Sequence, residues 1–286
     1  MMTMMIDGKK VATEIKEGLK ESVERVKKQG LTPCLAVVLV GDDPASHVYV
    51  RNKKLAAKKI GIETKDYDLP TKTTQEELLE LIEQLNQDES VHAILVQMPL
   101  PKHLNENEVI AKIDPKKDAD GLHPTNLGKL FMGRPEALPC TPRGIMTLLE
   151  KYQVEVTGKN VLIIGRSNLV GRPLAAMMTN ADATVTIAHS KTKDLPKLAS
   201  QADILVVATG RAEMVDETFV KEGATVIDVG INRKEDGKLV GDVKNEGVVG
   251  KAAYLTPVPG GVGPMTIAML MLQTLELAEK SVQDGE

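Results

Sequence analysis

Apolar positions along this chain follow two rhythms, and the rhythms alternate. Over Asp7–Gln29, Val11, Ile15, Leu19, Val23 and Val26 recur at spacings of three and four, which predicts an amphipathic helix stopped by Gly30. Cys34–Val40 is an unbroken apolar run closed by Gly41-Asp-Asp-Pro44. A run without alternation predicts a strand buried on both faces of a parallel sheet. The helical period returns after Ser46, the expected cap, and continues to about Ile60 and its stop, Gly61. Thr74-Gln-Glu-Glu77 is a capping-box pattern ahead of Leu78, Leu79, Leu81, Ile82 and Leu85. His92–Met98 then reads as a second buried strand, and Asn105–Ile113 as a short helix.

Asp114–Pro139 is rich in Asp, Gly, Pro and Asn and reads as a stretch between domains. Thr141-Pro142 is expected to cap a helix reaching about Tyr152 and bridging the domains. Strands follow at Asn160–Ile164, Thr184–Ala188, Ile204–Ala208, Thr225–Val229 and Ala253–Leu255, with helical segments between several of them. An apolar helix, Ile267–Ala278, closes the pattern and is expected to pack back on the first domain. Strands alternating with helices predict an α/β fold with parallel, doubly wound sheets. The expected division is an N-terminal α/β domain over residues 1–140, completed by a C-terminal helix at 266–286, and a Rossmann-like domain over residues 141–265.

Composition narrows the class. A chain of 286 residues with 42% hydrophobic and 27% charged residues has ample material for cores. Net charge is −4 with the signs interspersed, which argues against a nucleic-acid surface. No apolar run is long enough to span a bilayer. Met1-Met-Thr-Met-Met-Ile-Asp7 lacks the parts of a signal peptide, and its repeated Met leaves the start position open. Two cysteines, Cys34 and Cys140, without metal-ligand spacing, fit a reducing cytoplasm. His47, His92, His103, His123 and His189 are scattered and read as surface or turn residues; no metal set emerges.

The candidate chemistry sits at strand ends. Val161–Ile164 runs into Gly165-Arg166-Ser167-Asn-Leu-Val-Gly171-Arg-Pro173. Strand, glycine loop and helix present backbone N–H groups and a helix N-terminus to a phosphate. Five residues separate the two glycines, unlike the usual dinucleotide fingerprint, so the loop alone fits a plain βα turn equally well. The second strand ends Ala188-His189-Ser190-Lys191 with no acid to meet a ribose 2′-hydroxyl. Arg166, Ser190 and Lys191 together favour a 2′-phosphate, hence NADP over NAD; the other reading is a solvated basic loop. Asp228-Val-Gly230-Ile231-Asn232 ends a later strand and could hold a nicotinamide amide, or form a tight turn. On the second predicted helix Tyr49 and Lys53 lie four apart, on one face. Desolvation beside the ring would favour the uncharged amine, a general acid/base, whereas the other reading is a solvated surface lysine. Gln97, at the neighbouring strand's end, could hydrogen-bond that lysine. Asp120 could bind the polar edge of a heterocycle. Pro259-Gly260-Gly261-Val262-Gly263-Pro264 could be a rigid wall or a turn before the last helix.

These pieces, together with Gly41–Ser46, Val96–Pro101, Lys117–Gly121, Pro139–Pro142 and Thr256–Thr266, occur in one order along nearly the whole chain. The chain resembles the bifunctional methylenetetrahydrofolate dehydrogenase/methenyltetrahydrofolate cyclohydrolase family. The resemblance implies oxidation of 5,10-methylenetetrahydrofolate to the methenyl form with NADP, then hydrolysis to 10-formyltetrahydrofolate, in one-carbon metabolism. It implies Lys53 as acid/base, Gln97 tuning it, Tyr49 packing on the folate and Asp120 binding the pterin. Val96, Gln97, Met98 and Pro259–Gly263 are implied as further folate contacts. Gly165, Arg166, Ser167, Ser190 and Ile231 are implied for NADP, with Lys191 added from the residue reading. It also implies a homodimer formed through the nucleotide domain. Arg166 stands where family members vary between Ala and Arg, and Met98 replaces a frequent Leu. The competing readings are another NADP-linked dehydrogenase of a small acid, of the shikimate type, and a non-catalytic NADP-sensing module.

Overall fold

The computed structural model describes residues 2–283; Met1 and positions 284–286 of the expected C-terminal helix lie outside the described residues. The chain forms two compact units, and the division does not follow chain order. One unit takes Glu14–Leu138 and the residues from Ile267 onward; the other takes the residues up to Thr13 and Pro139–Thr266. Residues 2–13, expected in the N-terminal domain, thus group with the C-terminal one. The chain passes between units within its first and last long helices.

The short strand β1 (Met4–Met5) leads into helix α1 (Gly8–Lys28). Strand β2 (Cys34–Val40) is buried at every position, as an apolar run without alternation requires. Helix α2 (Pro44–Ile60) is capped by Asp43, not by Ser46: the Asp43 carboxylate accepts the Ser46 N–H at 2.8 Å, and Ser46 is buried inside the first turn. Strand β3 (Glu63–Leu69) has no counterpart in the apolar pattern. Its sequence, Glu-Thr-Lys-Asp-Tyr-Asp-Leu, is polar because it pairs with β2 on one side only; charges suit an open edge. Helix α3 (Gln75–Gln87) carries the complete Thr74/Glu77 capping box. Strand β4 (Ala93–Val96) flanks β2 on the other side, giving the parallel order β3-β2-β4. Leu78, Ile82 and Leu85 of α3 pack with Val38, Ile94 and Val96 in this unit's core.

After helix α4 (Glu106–Lys112), the segment expected to link domains is built into the same unit and contains helix α5 (Pro124–Phe131). Here local side-chain bonds replace an apolar period. His123 Nδ1 accepts the Thr125 N–H at 3.1 Å, and Asn126 Nδ2 donates to the Asp118 carboxylate at 2.9 Å.

Helix α6 (Cys140–Lys151) belongs wholly to the other unit and does not bridge the two. It has no side-chain cap; the Thr141 hydroxyl bonds Thr266 Oγ1 at 2.9 Å instead. Strand β5 (Asn160–Ile164), helix α7 (Gly171–Asn180), strand β6 (Thr184–Ala188), helix α8 (Leu195–Ala199), strand β7 (Ile204–Val207) and strand β8 (Thr225–Asp228) follow. A two-stranded antiparallel ribbon, β9 (Asn232–Arg233) with β10 (Leu239–Val240), precedes a kinked turn, α9 (Asn245–Val248). Strand β11 (Tyr254–Leu255) completes a six-stranded sheet of order β1-β11-β8-β7-β5-β6, in which every pairing is parallel. Helix α10 (Val262–Gln283) starts earlier and runs longer than its apolar run.

Ile82 has no exposed surface and sits between α3 and the sheet of its unit. Ile82→Ala should therefore lower unfolding free energy by about 2–5 kcal/mol, measured by urea denaturation; a loss within error of zero would contradict its place in the core.

Candidate active site

In the β3-β2-β4 unit, parallel register decides what meets at the sheet's carboxyl edge. Gln97 follows β4, and its N–H bonds Val38 O at 2.9 Å. Its side chain turns to α2, where Lys53 Nζ donates to Gln97 Oε1 at 3.0 Å. The Gln97 amide N–H donates in turn to Met98 O, so the amide's orientation is fixed by both ends. Lys53 is 8% exposed, which removes the reading of a solvated surface lysine. Tyr49, one turn earlier, is 42% exposed and offers its ring to solvent at the same end of the helix. Val96 is buried and Met98 half-buried.

Asp120 reaches this edge by a different route. Ile94 bridges Asp118 in parallel: Ile94 N–H donates to Lys117 O at 2.7 Å, and Ala119 N–H to Ile94 O at 3.2 Å. Asp120 lies in the turn two residues past this bridge. Asp120 is half-buried. Its neighbour Asp118 is 2% exposed and plays another part. Its carboxylate accepts the His123 N–H at 2.8 Å and Asn126 Nδ2 at 2.9 Å, and burial raises its pKa. His92 is also buried, with Nδ1 accepting the Cys34 N–H at 3.2 Å; it is neither a surface nor a turn residue.

In the six-stranded unit, one register row crosses the sheet: Ala188 beside Ile164, Ile164 beside Val207, Val207 beside Asp228. Two residues beyond that row stand Ser190, Arg166, Thr209 and Gly230. Gly165 has φ +132°, and a Cβ there would run into Ala208 O. A Cβ on Gly171 would overlap Gly165 O. The two glycines therefore exist for each other and for the neighbouring strand: the N-terminus of α7 lies against the end of β5 with no room for side chains. This close approach brings helix N–H groups to the sheet edge, the arrangement that suits a phosphate. The spacing of five residues accommodates a loop in which the Ser167 hydroxyl accepts the Val170 N–H at 3.1 Å. Arg166, Ser167, Ser190 and Lys191 are all exposed at this edge, with Ser190 and Lys191 in a turn closed by Thr192 N–H to His189 O at 2.8 Å.

Ile231 follows β8 and is 45% exposed; its Cδ1 lies beside Gly263. The Pro259–Gly263 stretch is anchored from α1, whose Lys9 N–H donates to Gly260 O at 2.9 Å. A Cβ on Gly8 would overlap Gly261 O. Pro259 is exposed and Val262 buried.

Sequence reading missed two carboxylates behind this edge. Asp228 is 2% exposed and accepts N–H bonds from Gly230, Asp242 and Val243 at 3.0, 2.9 and 2.9 Å. Burial, together with the neighbouring Asp242, pushes its pKa up to about 7. Asp242 is fully buried. Neither sits in a spacing that distinguishes it from an exposed turn aspartate; the one trace is a glycine opposite each. A Cβ on Gly241 would strike the Asp228 carboxylate, and one on Gly230 the Asp242 carboxylate. Among the described residues no group of three or more His, Cys, Asp or Glu could hold a metal ion.

Residues 6–120 match the model of the tetrahydrofolate dehydrogenase/cyclohydrolase catalytic domain, and residues 139–282 that of its NAD(P)-binding domain. The bifunctional protein FolD of Ligilactobacillus salivarius is 59% identical over 282 residues, covering 99% of both chains. The crystal structure of the bifunctional FolD dehydrogenase/cyclohydrolase from Campylobacter jejuni has a TM-score of 0.95 at 51% identity, covering 97% of this chain and 99% of that one. The Trypanosoma brucei enzyme, complexed with NADP and an inhibitor, has a TM-score of 0.95 at 39% identity, covering 99% of each chain. A shikimate dehydrogenase from Peptoclostridium difficile shares only the fold, with a TM-score of 0.51 at 12% identity.

The raised pKa of Asp228 carries a sign. Between the ordinary carboxylate value of 3.8 and about 7 the folded state holds a proton that the unfolded state has released, so this group lowers stability as pH rises through that window. Asp228→Asn removes the effect. The stability of Asp228→Asn relative to the parent should improve between pH 5 and pH 8, by urea denaturation at both. A difference independent of pH would show that Asp228 titrates like an exposed acid.

Proposed function

The chain belongs to the tetrahydrofolate dehydrogenase/cyclohydrolase family, and on that premise we propose how its residues divide two reactions. The enzyme oxidises 5,10-methylenetetrahydrofolate to 5,10-methenyltetrahydrofolate with NADP and hydrolyses the methenyl form to 10-formyltetrahydrofolate. It thereby interconverts one-carbon tetrahydrofolates.

The observation that carries the division is the buried Lys53–Gln97 pair. In hydrolysis, water adds to the cationic methenyl carbon between N5 and N10. One water proton is removed, the other ends on N5 as the C–N5 bond breaks, and the oxygen remains in the formyl group. The net release is one proton. An amine held at one place can take the first proton and deliver one to N5, and Lys53 is that amine. Gln97 presents an acceptor oxygen to it and, with its own N–H groups turned to Met98, keeps the ammonium aimed. Tyr49 supplies a ring for the folate to stack on, and Asp120 a carboxylate for the pterin's N–H edge. Val96, Gln97 and Met98 form further folate contacts in this unit; a folate role for Pro259–Gly263 rests on the family resemblance alone. A non-catalytic sensor of NADP has no use for a lysine buried against a glutamine.

The other unit binds NADP, which accepts the hydride. Gly165 and Gly171 clear the approach to the α7 N-terminus for the pyrophosphate, with Ser167 beside it. Arg166, Ser190 and Lys191 hold the 2′-phosphate, and Ile231 lies against the nicotinamide. The residues fit the group: three polar side chains, two of them basic, crowd one corner, and no acid stands in Ala188–Lys191.

The chain also works as a homodimer through the six-stranded unit. Its support is that β6 is an open sheet edge with Ile187 38% exposed. A cytoplasmic location accords with two buried thiols, Cys34 and Cys140, and no described helix is long and apolar enough to cross a membrane.

Lys53→Gln should cut the cyclohydrolase rate by about 10²–10⁴-fold while hydride transfer falls far less. Following methenyl absorbance through both steps reads the split, and equal survival of both activities rules Lys53 out as acid/base. Arg166→Ala should raise KM for NADP by about tenfold, the scale of one charge-assisted hydrogen bond, and leave KM for NAD nearly unchanged. An equal rise for both cofactors would place Arg166 away from the 2′-phosphate.

A further inference from the structure

Behind the carboxyl edge of the six-stranded sheet, four hydrogen-bond donors from two different loops converge on one carboxylate. Asp242 Oδ2 accepts the Thr209 N–H at 2.6 Å, the Thr209 hydroxyl at 2.9 Å and the Gly210 N–H at 2.9 Å. Its Oδ1 accepts Asn232 Nδ2 at 2.8 Å. Thr209 and Gly210 follow β7, whereas Asn232 follows β8, with Ile231 directly before it. The carboxylate has no exposed surface, and the chain carrying it is tied down separately: Asp242 N–H donates to Asp228 Oδ1 at 2.9 Å, and Val215 N–H donates to Asp242 O at 3.0 Å.

We propose that Asp242 is a positioning residue for hydride transfer, fixing the Thr209–Gly210 turn and the Gly230–Asn232 loop at the spacing that receives the nicotinamide end of NADP. The proposal rests on the reading that NADP lies along this sheet edge. Three features make the carboxylate a clamp and not one bond among many. Both of its oxygens are used, one for each loop. Every donor around it is fixed in direction, three by the main chain or a short side chain and one by a planar amide. Gly230 has no space for a Cβ against it, so the loop before Ile231 sits directly on the clamp. Thr209 also follows Ala208, whose carbonyl abuts Gly165, so a shift of the turn reaches the phosphate loop as well.

Asp242→Asn keeps the shape but offers a single acceptor oxygen. With that oxygen towards Thr209 and Gly210, its own N–H group faces the N–H group of Asn232, and the link between the loops is lost. In the full-length enzyme, dehydrogenase kcat/KM with NADP should fall by about 10-fold to 100-fold, as displacement of a reacting group by a fraction of an ångström requires. The cyclohydrolase reaction, measured on methenyltetrahydrofolate without nucleotide, should stay within about twofold of the parent because it uses Lys53 and Gln97. The exchange Asp242→Asn with Asn232→Asp restores a donor facing an acceptor and should recover most of the dehydrogenase activity. A parallel fall of both activities, an unchanged dehydrogenase, or an exchange variant no better than Asp242→Asn overturns the proposal. If Asp242→Asn does not fold, Asn232→Ala removes one loop from the clamp without touching the buried acid, and the same split between activities is required of it. Arg166→Ala, assayed alongside, separates the premises: an unchanged KM for NADP there refutes the cofactor site itself, while a raised KM with a normal Asp242→Asn refutes the clamp alone.

Discussion

Parallel strand pairing sets where reactive groups can stand in both units of this protein. Residues at equal distance past a register row emerge side by side at the carboxyl edge, whatever their separation in sequence. Arg166 and Ser190 each stand two residues past the paired Ile164 and Ala188. Thr209 and Gly230 come level because Val207 pairs with Asp228. In the smaller sheet a single bridge sets Asp118 beside Ile94, two residues before Asp120. A one-residue slip in a strand pairing would turn that strand's side chains to the opposite face.

The framework is legible in sequence wherever burial dictates composition. Cys34–Val40 and Asn160–Ile164 are legible because their apolar residues stop at glycines. Legibility fails where hydrogen bonds stand in for burial. β3 is polar because it is an edge, and α5 is held by His123, Asn126 and Asp118 instead of an apolar stripe. The interdomain reading of residues 114–139 failed for that reason. The cap of α2 shifted from Ser46 to Asp43 because both are good cap residues and Pro44 favours the first turn.

The site divides in the same way. Tyr49 and Lys53 could be paired from helical spacing, and the contact of Lys53 with Gln97 from both lying at strand-end level. The two glycines of the loop after β5 could be seen, but the reason for their spacing could not: one is fitted to Ala208 O and the other to its partner glycine. Asp118 and Asp228 stood inside stretches that could be singled out, but their carboxylates, like that of Asp242, could not be told from those of solvated turns, since a buried aspartate that satisfies backbone N–H groups has the same letter. Their work shows only when the donors around them are counted.

The route of the chain between units bears on how the enzyme can be taken apart. Neither unit is one continuous stretch: the residues up to Thr13 group with Pro139–Thr266, and those from Ile267 onward with Glu14–Leu138. Cutting at Leu138 would strip each half of part of its own interior, so the two activities share one polypeptide by topology as well as by chemistry. During synthesis the unit with the smaller sheet emerges first but is completed last, by the residues from Ile267 onward. Gene fission, a common way for linked enzymes to separate, is closed to this architecture without first rerouting α1 and α10.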